Sequence, residues 1–132
     1  MNHSPLILIV DDDRHISKVI GFSLRQAGLR ILMAHDAMEG VSVARNVHPD
    51  AILMDVMMPG VTGSMVSGLM KETPELRDIP VILISALPEE DLRSRAAEVD
   101  AAGYICKPFH KSDLLQMIQS VLARQTHNVG PD

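Results

Sequence analysis

The sequence is short of the features that mark secreted and membrane proteins. It has a single cysteine, Cys106, so no disulfide can form within the chain, and 132 residues are enough to build a core without one. The apolar run Leu6–Val10 is too short for the core of a signal peptide or for a membrane span. We therefore expect a single-domain cytoplasmic protein with no membrane partner.

The sequence also lacks an excess of positive charge. Lysine and arginine total 12 and aspartate and glutamate total 17, which gives a net charge of −5. Proteins that bind the phosphate backbone carry the opposite balance, so we expect no direct contact with nucleic acid. The sequence has no phosphate-binding loop for a nucleotide, no EF-hand loop and no zinc-binding spacing of histidine or cysteine. It thus predicts neither a nucleotide site nor a calcium or zinc site.

Short apolar runs alternate with longer segments of helical periodicity along the chain. This alternation is typical of parallel strands joined by crossover helices, and right-handed crossovers leave few possible topologies. The predicted strands are Leu6–Val10, Arg30–Ala34, Ala51–Met54, Val81–Ile84 and Gly103–Cys106. The second is the least apolar, so we predict that it lies at an edge of the sheet. We expect a three-layer α/β sandwich.

Five segments have apolar residues at helical spacing. They are Ile16–Ala27, Val41–Ala44, Met65–Met70, Leu92–Val99 and Leu114–Leu122. Asp36 and Glu39 form a capping box that opens the second helix, and Ser112 is the predicted N-cap of the fifth. Gly68 lies inside the third helix, where glycine costs about 1 kcal/mol relative to alanine. The fifth helix is expected to end near Arg124.

Polar side chains follow the predicted strands at the ends where ligands bind in sheets of this kind. They are Asp11, Asp12 and Asp13 after the first strand, Asp55 after the third, Ser85 after the fourth and Lys107 after the fifth. A polar residue is common where a strand reaches the surface, but carboxylates, a hydroxyl and an ammonium group together can share a chemical task. The sequence therefore predicts a functional site at the carboxyl edge of the sheet.

The crowding of these carboxylates points to a cation. Two carboxylates 4 Å apart repel each other by about 4 kcal/mol at an effective dielectric constant of about 20. A divalent cation offsets this repulsion, and Mg²⁺ prefers carboxylate, carbonyl and water oxygens. Together with a lysine, Mg²⁺ and a carboxylate make a site for phosphoryl transfer, in which the carboxylate can accept the group as an acyl phosphate. We expect the donor to be another protein or a small phosphorylated compound.

Four segments resemble, in the same order, the signatures of the response regulator receiver domain of two-component signal transduction, and in particular of chemotaxis regulators. They are Leu8–Asp13, Asp55–Gly60, Ile84–Ala86 and Lys107–Phe109. The resemblance extends from Leu6 to about Arg124. It implies a flavodoxin-like fold, with a five-stranded parallel sheet of order 2-1-3-4-5 and five helices. The receiver domain is expected over residues 1–125, with a flexible C-terminal tail over residues 126–132.

The resemblance also implies a role for each acidic residue of the predicted site. Asp55 matches the phosphoacceptor of the family. Asp11 and Asp12 match the residues that hold Mg²⁺ together with Asp55 and the backbone carbonyl of Met57. The protein would then be no enzyme beyond its own phosphorylation and dephosphorylation at Asp55.

Three other residues resemble the part of the family site that senses the phosphoryl group. Ser85 matches the hydroxyl residue and Lys107 the ammonium group that contact it, and a cis peptide bond is implied between Lys107 and Pro108. Tyr104 matches an aromatic switch that turns inward when Ser85 is drawn to the phosphate. Phosphorylation would bias an existing equilibrium between two conformations of the protein.

The partners implied are a sensor histidine kinase or histidine phosphotransfer protein as donor and a downstream protein of unknown identity. The output surface would consist of the fourth helix, fifth strand and fifth helix, with Leu87, Tyr104, Ile105 and the exposed side of residues 112–124, and this surface could also form a dimer. Two alternatives remain. One is a docking module of the same fold that is not phosphorylated; the other is a Mg²⁺-dependent aspartyl-phosphate phosphatase, which Met57 disfavours because an acid/base carboxylate is wanted there.

Some residues depart from the common family pattern. Thr62 stands where an acidic residue is usual, and Ser85 replaces the commoner threonine. Met57 and Leu87 occupy the positions that tune the lifetime of the phosphoryl group in the family. Because neither has a polar group that could align an attacking water, we expect slow self-dephosphorylation.

Overall fold

The computed structural model describes residues 4–58, 61–62, 68 and 71–129. Five parallel strands form its main sheet: β1 Leu6–Val10, β2 Arg30–Ala34, β3 Ala51–Asp55, β6 Val81–Ser85 and β7 Gly103–Cys106. Their order is β2-β1-β3-β6-β7, which is the predicted order 2-1-3-4-5. Each strand begins at its predicted residue, while β3 and β6 continue one residue further than predicted. The prediction that the second strand lies at an edge is confirmed.

The described part of the chain contains four helices: α1 Arg14–Gln26, α2 Ala37–Val47, α3 Glu89–Glu98 and α4 Lys111–Val129. The helix predicted around Met65–Met70 falls largely outside the described residues, so α3 and α4 are the fourth and fifth helices of the prediction. Within the described residues, no helix combines the length and the apolar character needed to cross a membrane.

Side chains alternate between the two faces of the sheet, and each face carries its own core. The α2–α3 cluster lies against one face and includes Leu8, Val10, Ile52, Met54, Leu83 and Leu92. The α1–α4 cluster lies against the other and includes Ile7, Ile9, Leu24, Leu53, Ile84 and Ile118. Strands that are apolar on both faces are buried between helical layers. The predicted three-layer α/β sandwich is therefore confirmed.

Capping of α2 follows the prediction closely. The carboxylate of Asp36 accepts a hydrogen bond from the Glu39 N–H at 2.8 Å. The carboxylate of Glu39 in turn accepts one from the His35 N–H at 2.8 Å, one residue before the position usual in a capping box. The reciprocal bonds fix the turn that leads from β2 into α2.

The start and the end of α4 differ from the prediction. The carbonyl of His110 accepts the first helical hydrogen bond, from the Leu114 N–H at 3.2 Å, so Ser112 lies within the first turn and is not the N-cap. The helix therefore begins two residues earlier than predicted, at Lys111. At its other end α4 continues past Arg124 to Val129. The limit of the domain at residue 125 stays a prediction.

A short hairpin follows β3 directly and was not predicted. Met57–Met58 forms β4 and pairs in antiparallel fashion with β5, Val61–Thr62. Two-residue strands are too short to show a period of two in the sequence, so no pattern indicated them. β4 begins two residues after the end of β3, so Met57 stays close to Asp55.

Candidate functional site at the carboxyl edge of the sheet

The register of the parallel strands determines which side chains meet at the carboxyl edge. Val10 of β1 pairs with Met54 of β3, so Asp11 and Asp55 leave the sheet at the same level. Ser85 of β6 pairs with Cys106 of β7, which places Lys107 just beyond Ser85. The hydrogen bond from the Lys107 N–H to the Ser85 carbonyl, 2.7 Å long, holds these two backbones together. The four residues predicted from separate strand ends therefore lie on one edge.

Three carboxylates form a compact acidic group on this edge. One oxygen from each of Asp11, Asp12 and Asp55 lies within 4.8 Å of the others. Asp11 is fully buried and Asp55 is 6% exposed, whereas Asp12 lies on the surface. The acidic group is therefore buried at Asp11 and Asp55 and accessible to solvent at Asp12.

Lys107 lies between the two buried carboxylates. Its Nζ is 3.4 Å from Oδ2 of Asp11 and 3.8 Å from Oδ2 of Asp55, and its side chain is 21% exposed. One ammonium group balances only one of the three negative charges of the acidic group. The site thus retains an excess of negative charge at the open side.

Asp55 is held in a fixed orientation by the chain that follows it. Its Oδ1 accepts a hydrogen bond from the Met57 N–H at 3.0 Å, while its Oδ2 faces Lys107. Burial raises the pKa of Asp55 above its usual value, and Asp11 acts in the same direction. The Met57 N–H and the charge of Lys107 lower this pKa, but by less in sum. Asp55 is therefore an oriented carboxylate whose charge is under-compensated.

The backbone of Asp11 is held by two side chains that sequence reasoning missed. Its carbonyl accepts a hydrogen bond from Ser17 Oγ at 3.4 Å, and His35 Nδ1 lies 3.2 Å from the same oxygen. Ser17 comes from α1 and His35 from the end of β2, so the contacts join three elements. No spacing in the sequence indicates them, since the shared acceptor is a backbone atom.

The third aspartate of the predicted run has a structural task. Oδ1 of Asp13 accepts a hydrogen bond from the Ile16 N–H at 3.1 Å, which makes Asp13 the N-cap of α1. Its own N–H donates to Oδ1 of Asp11 at 2.9 Å. An aspartate just before an amphipathic stripe is a usual N-cap signal, so this separation of roles could have been inferred from the sequence.

Ser85 and Tyr104, the predicted switch residues, bond respectively to the loop between β6 and α3 and to the first residue of α3. Ser85 is fully buried, and its Oγ accepts a hydrogen bond from the Leu87 N–H at 3.1 Å. The hydroxyl of Tyr104 donates to Oε2 of Glu89 at 2.6 Å. This hydrogen bond to Glu89 raises the pKa of Tyr104. Ser85 Oγ is thus an acceptor for the backbone that follows β6.

Two further implications of the resemblance can be located in the structure. The peptide bond between Lys107 and Pro108 is cis, as the resemblance implied. Met57 is 57% exposed beside Asp55, and Leu87 packs against the α2–α3 cluster. Neither side chain offers a polar group to the acidic site.

Comparison with known proteins gives consistent matches over most of the chain. The family model described as the response regulator receiver domain matches residues 7–119. The phosphate regulon transcriptional regulatory protein PhoB of Pseudomonas aeruginosa is 37% identical over 118 residues, which cover 89% of this chain and 52% of that protein. The regulator RpaA of Synechocystis is 32% identical over 120 residues, covering 91% of this chain and 50% of RpaA. The chain thus spans about half the length of these curated relatives.

Solved structures match over nearly their whole length. The chemotaxis protein CheY4 of Vibrio cholerae superposes with a TM-score of 0.83 at 26% identity, covering 90% of this chain and 99% of that one. The receiver domain of the Francisella response regulator 1452 superposes with a TM-score of 0.83 at 25% identity, covering 92% and 98%. The flavodoxin-like fold class is therefore confirmed.

The raised pKa of Asp55 predicts the pH dependence of stability in metal-free buffer. Because the folded protein disfavours the charged carboxylate, the contribution of Asp55 is most favourable below the usual aspartate pKa of about 3.9 and is lost as pH rises through the raised folded value. Asp55→Asn should therefore unfold at higher urea concentration than the wild type at neutral pH, with the difference shrinking toward about pH 4.

The exposed Asp100 provides a matched control, since its side chain is 87% exposed. Asp100→Asn should change the urea midpoint little at any pH. The prediction is wrong if Asp55→Asn has a lower urea midpoint than the wild type at neutral pH. It is also wrong if the difference in urea midpoint between the two proteins is the same at every pH.

Proposed function

The chain belongs to the response regulator receiver domain family, and from this premise we propose that it accepts a phosphoryl group on Asp55 and passes the signal to a partner protein. One observation carries the proposal: Asp55 is nearly buried and oriented by the Met57 N–H, and it shares its pocket with Lys107 and two further carboxylates. An oriented anion beside a cation is suited to attack phosphorus, since phosphoryl transfer depends mainly on positioning and charge stabilisation.

The proposed reaction is a transfer from a phosphorylated histidine. A carboxylate oxygen of Asp55 attacks phosphorus, the bond between phosphorus and the histidine nitrogen breaks, and its electron pair stays on that nitrogen, which takes up a proton. The product is an acyl phosphate on Asp55. The same attack on acetyl phosphate would release acetate. The protein is not a classical enzyme, because the phosphoryl group ends on its own side chain.

Lys107 and Ser85 are the residues placed to respond to the new anion. Lys107 Nζ already lies within 4 Å of oxygens of both buried carboxylates and needs only a small shift to contact a phosphoryl oxygen on Asp55. Ser85 Oγ accepts a hydrogen bond from the Leu87 N–H and can donate its own hydrogen to a phosphoryl oxygen. A shift of Ser85 toward the phosphoryl group would therefore move the Leu87 backbone bonded to it, which is how a local charge would reach the loop between β6 and α3 and the output surface.

The donor set of the acidic group fits Mg²⁺. Asp11, Asp12 and Asp55 supply clustered carboxylate oxygens with more negative charge than Lys107 balances, and Mg²⁺ prefers such ligands. Together with the backbone carbonyl of Met57 they would hold the ion. Bound Mg²⁺ would supply charge neutralisation between the carboxylates and the incoming phosphoryl oxygens.

The proposed donor is a sensor histidine kinase or a histidine phosphotransfer protein, and the proposed setting is the cytoplasm. The output surface comprises α3, β7 and α4, with Tyr104 and Ile105 on the edge strand between the two helices. A downstream protein or a second copy of this chain would bind there. A direct nucleic-acid contact by these residues is not part of the proposal, since the net charge is −5.

Phosphorylation at Asp55 is tested with acetyl phosphate. In the presence of Mg²⁺, the intact mass should rise by one phosphoryl group, because the oriented carboxylate attacks a small donor as well. Asp55→Asn should abolish the gain, and Asp100→Asn, the same change on an exposed aspartate, should keep it. A mass gain that persists in Asp55→Asn would refute Asp55 as the acceptor, and no gain in the wild type would favour the unphosphorylated docking module.

Binding of Mg²⁺ is tested by thermal unfolding. If only the folded protein assembles the acidic group, Mg²⁺ at about 100 times its Kd should stabilise the fold by about 2.7 kcal/mol and raise Tm accordingly. Asp12→Ala should reduce this rise, and Asp113→Ala, which removes an exposed carboxylate at the start of α4, should not. Equal responses of the two variants would remove Asp12 from the ligand set.

The lifetime of the phosphorylated protein tests the role of Met57. With apolar side chains at Met57 and Leu87, we expect Asp55 phosphate to persist for minutes or longer. Met57→Asn introduces an amide that can orient water and should shorten the lifetime on the order of tenfold. Met38→Asn is the matched control, because Met38 is also exposed but lies on α2. A wild-type lifetime of seconds would count against the hypothesis.

A further inference from the structure

The hydroxyl of Tyr104 is bound by a carboxylate at the first residue of α3. Its oxygen lies 2.6 Å from Oε2 of Glu89, while Oε1 of the same carboxylate lies 3.8 Å from Nη1 of Arg93, one helical turn further on. The tyrosine ring packs against the α2–α3 cluster. Glu89 thus joins the output strand β7 to the beginning of α3 through a charge-assisted hydrogen bond.

Ser85 is bonded to the loop that leads to Glu89. Its Oγ accepts from the Leu87 N–H, and Glu89 follows two residues later. Residues 85–89 therefore carry both hydrogen bonds that fix the switch side chains in this conformation. If Tyr104 turns when Ser85 moves toward a phosphoryl group, its hydroxyl leaves Glu89.

We propose that Glu89 is a positioning residue that holds Tyr104 in the conformation observed here and thereby sets how much of the protein is in the active conformation before phosphorylation. The inference rests on the proposed function, in which Tyr104 is the switch. Removing the carboxylate takes away one bond that stabilises the observed conformation and that, in this proposal, the active conformation lacks. By linkage, the active conformation then becomes more populated, and a ligand that prefers it binds more tightly.

The location of Glu89 provides a control for its charge. Glu89, Glu90 and Asp91 all stand in the first turn of α3, where carboxylates interact favourably with the helix dipole. Glu90→Ala therefore removes the same charge from the same helix end without removing the partner of Tyr104. An effect of Glu89→Ala that Glu90→Ala lacks is due to the bond with Tyr104 or to the ion pair with Arg93, and the Tyr104→Phe background separates these two contacts.

Tyr104 is also a built-in probe, because the chain contains one tyrosine and no tryptophan. Absorbance of the tyrosinate therefore reports the titration of this side chain alone, with no phosphoryl group present. Its hydrogen bond to Glu89 is the main cause of its raised pKa; the charge of Arg93 lowers this pKa and Cys106 raises it slightly. Glu89→Ala should move the titration toward the usual tyrosine range, and Glu90→Ala should leave it close to the wild type.

The coupling to the acidic site is measured with beryllofluoride, a tetrahedral mimic of the phosphoryl group, in the presence of Mg²⁺. Glu89→Ala should bind it about 3- to 10-fold more tightly than the wild type, the range that corresponds to the loss of one net hydrogen bond. Glu90→Ala should bind it as the wild type does. In a Tyr104→Phe background, which lacks the hydroxyl, Glu89→Ala should have no further effect on affinity.

The outcomes distinguish the role of Glu89 from the phosphorylation of Asp55. An unchanged Tyr104 titration in Glu89→Ala, or a changed titration with unchanged beryllofluoride affinity, overturns the role of Glu89 while phosphorylation at Asp55 stands. An effect of Glu89→Ala that persists in the Tyr104→Phe background assigns it to the charge of α3 and likewise overturns the role. If the wild type binds no beryllofluoride, the proposed function fails and the switch role of Glu89 fails with it, although the titration still reports the bond.

Discussion

Parallel pairing of β1 with β3 forces Asp11 and Asp55 to leave the sheet side by side, and the site depends on this enforced proximity. Separate carboxylates in a flexible chain would move apart, but here buried apolar side chains on both faces hold the strands in register. Lys107 relieves only part of the repulsion. The stability of the fold thus maintains an electrostatically unfavourable arrangement, which a bound cation can relieve.

Much of the fold follows from apolar patterning, because each strand is a short buried run and the layers require alternating helices. All five main strands begin where the runs begin, and the weak run at Arg30–Ala34 is at the edge. The pattern fails where hydrogen bonds of the backbone decide the structure. The hairpin of β4 and β5 is too short to have a period, and His110 begins α4 through its carbonyl although Ser112 looks like a cap.

The proximity of Asp11, Asp12, Asp55 and Lys107 could be predicted because the carboxyl ends of parallel strands converge on one edge, whatever their separation in sequence. The residues that hold these side chains in place could not be predicted. His35 and Ser17 contact the backbone carbonyl of Asp11. Because every residue has such a carbonyl, the residue types do not indicate which one accepts these contacts. In the sequence, Glu89 cannot be distinguished from the two other acidic residues in the first turn of α3. Its contact with Tyr104 becomes visible only in the folded structure.

The sheet keeps the two clusters apart, since neighbouring residues of one strand, such as Ile9 and Val10, contribute to opposite sides. Tyr104 and α3 contribute to the α2–α3 cluster, whereas α1 and α4 pack against the other face of the sheet. Substitutions in the α2–α3 cluster can therefore change the packing around Tyr104 and α3 without altering the side chains that lie between the sheet and the pair α1 and α4.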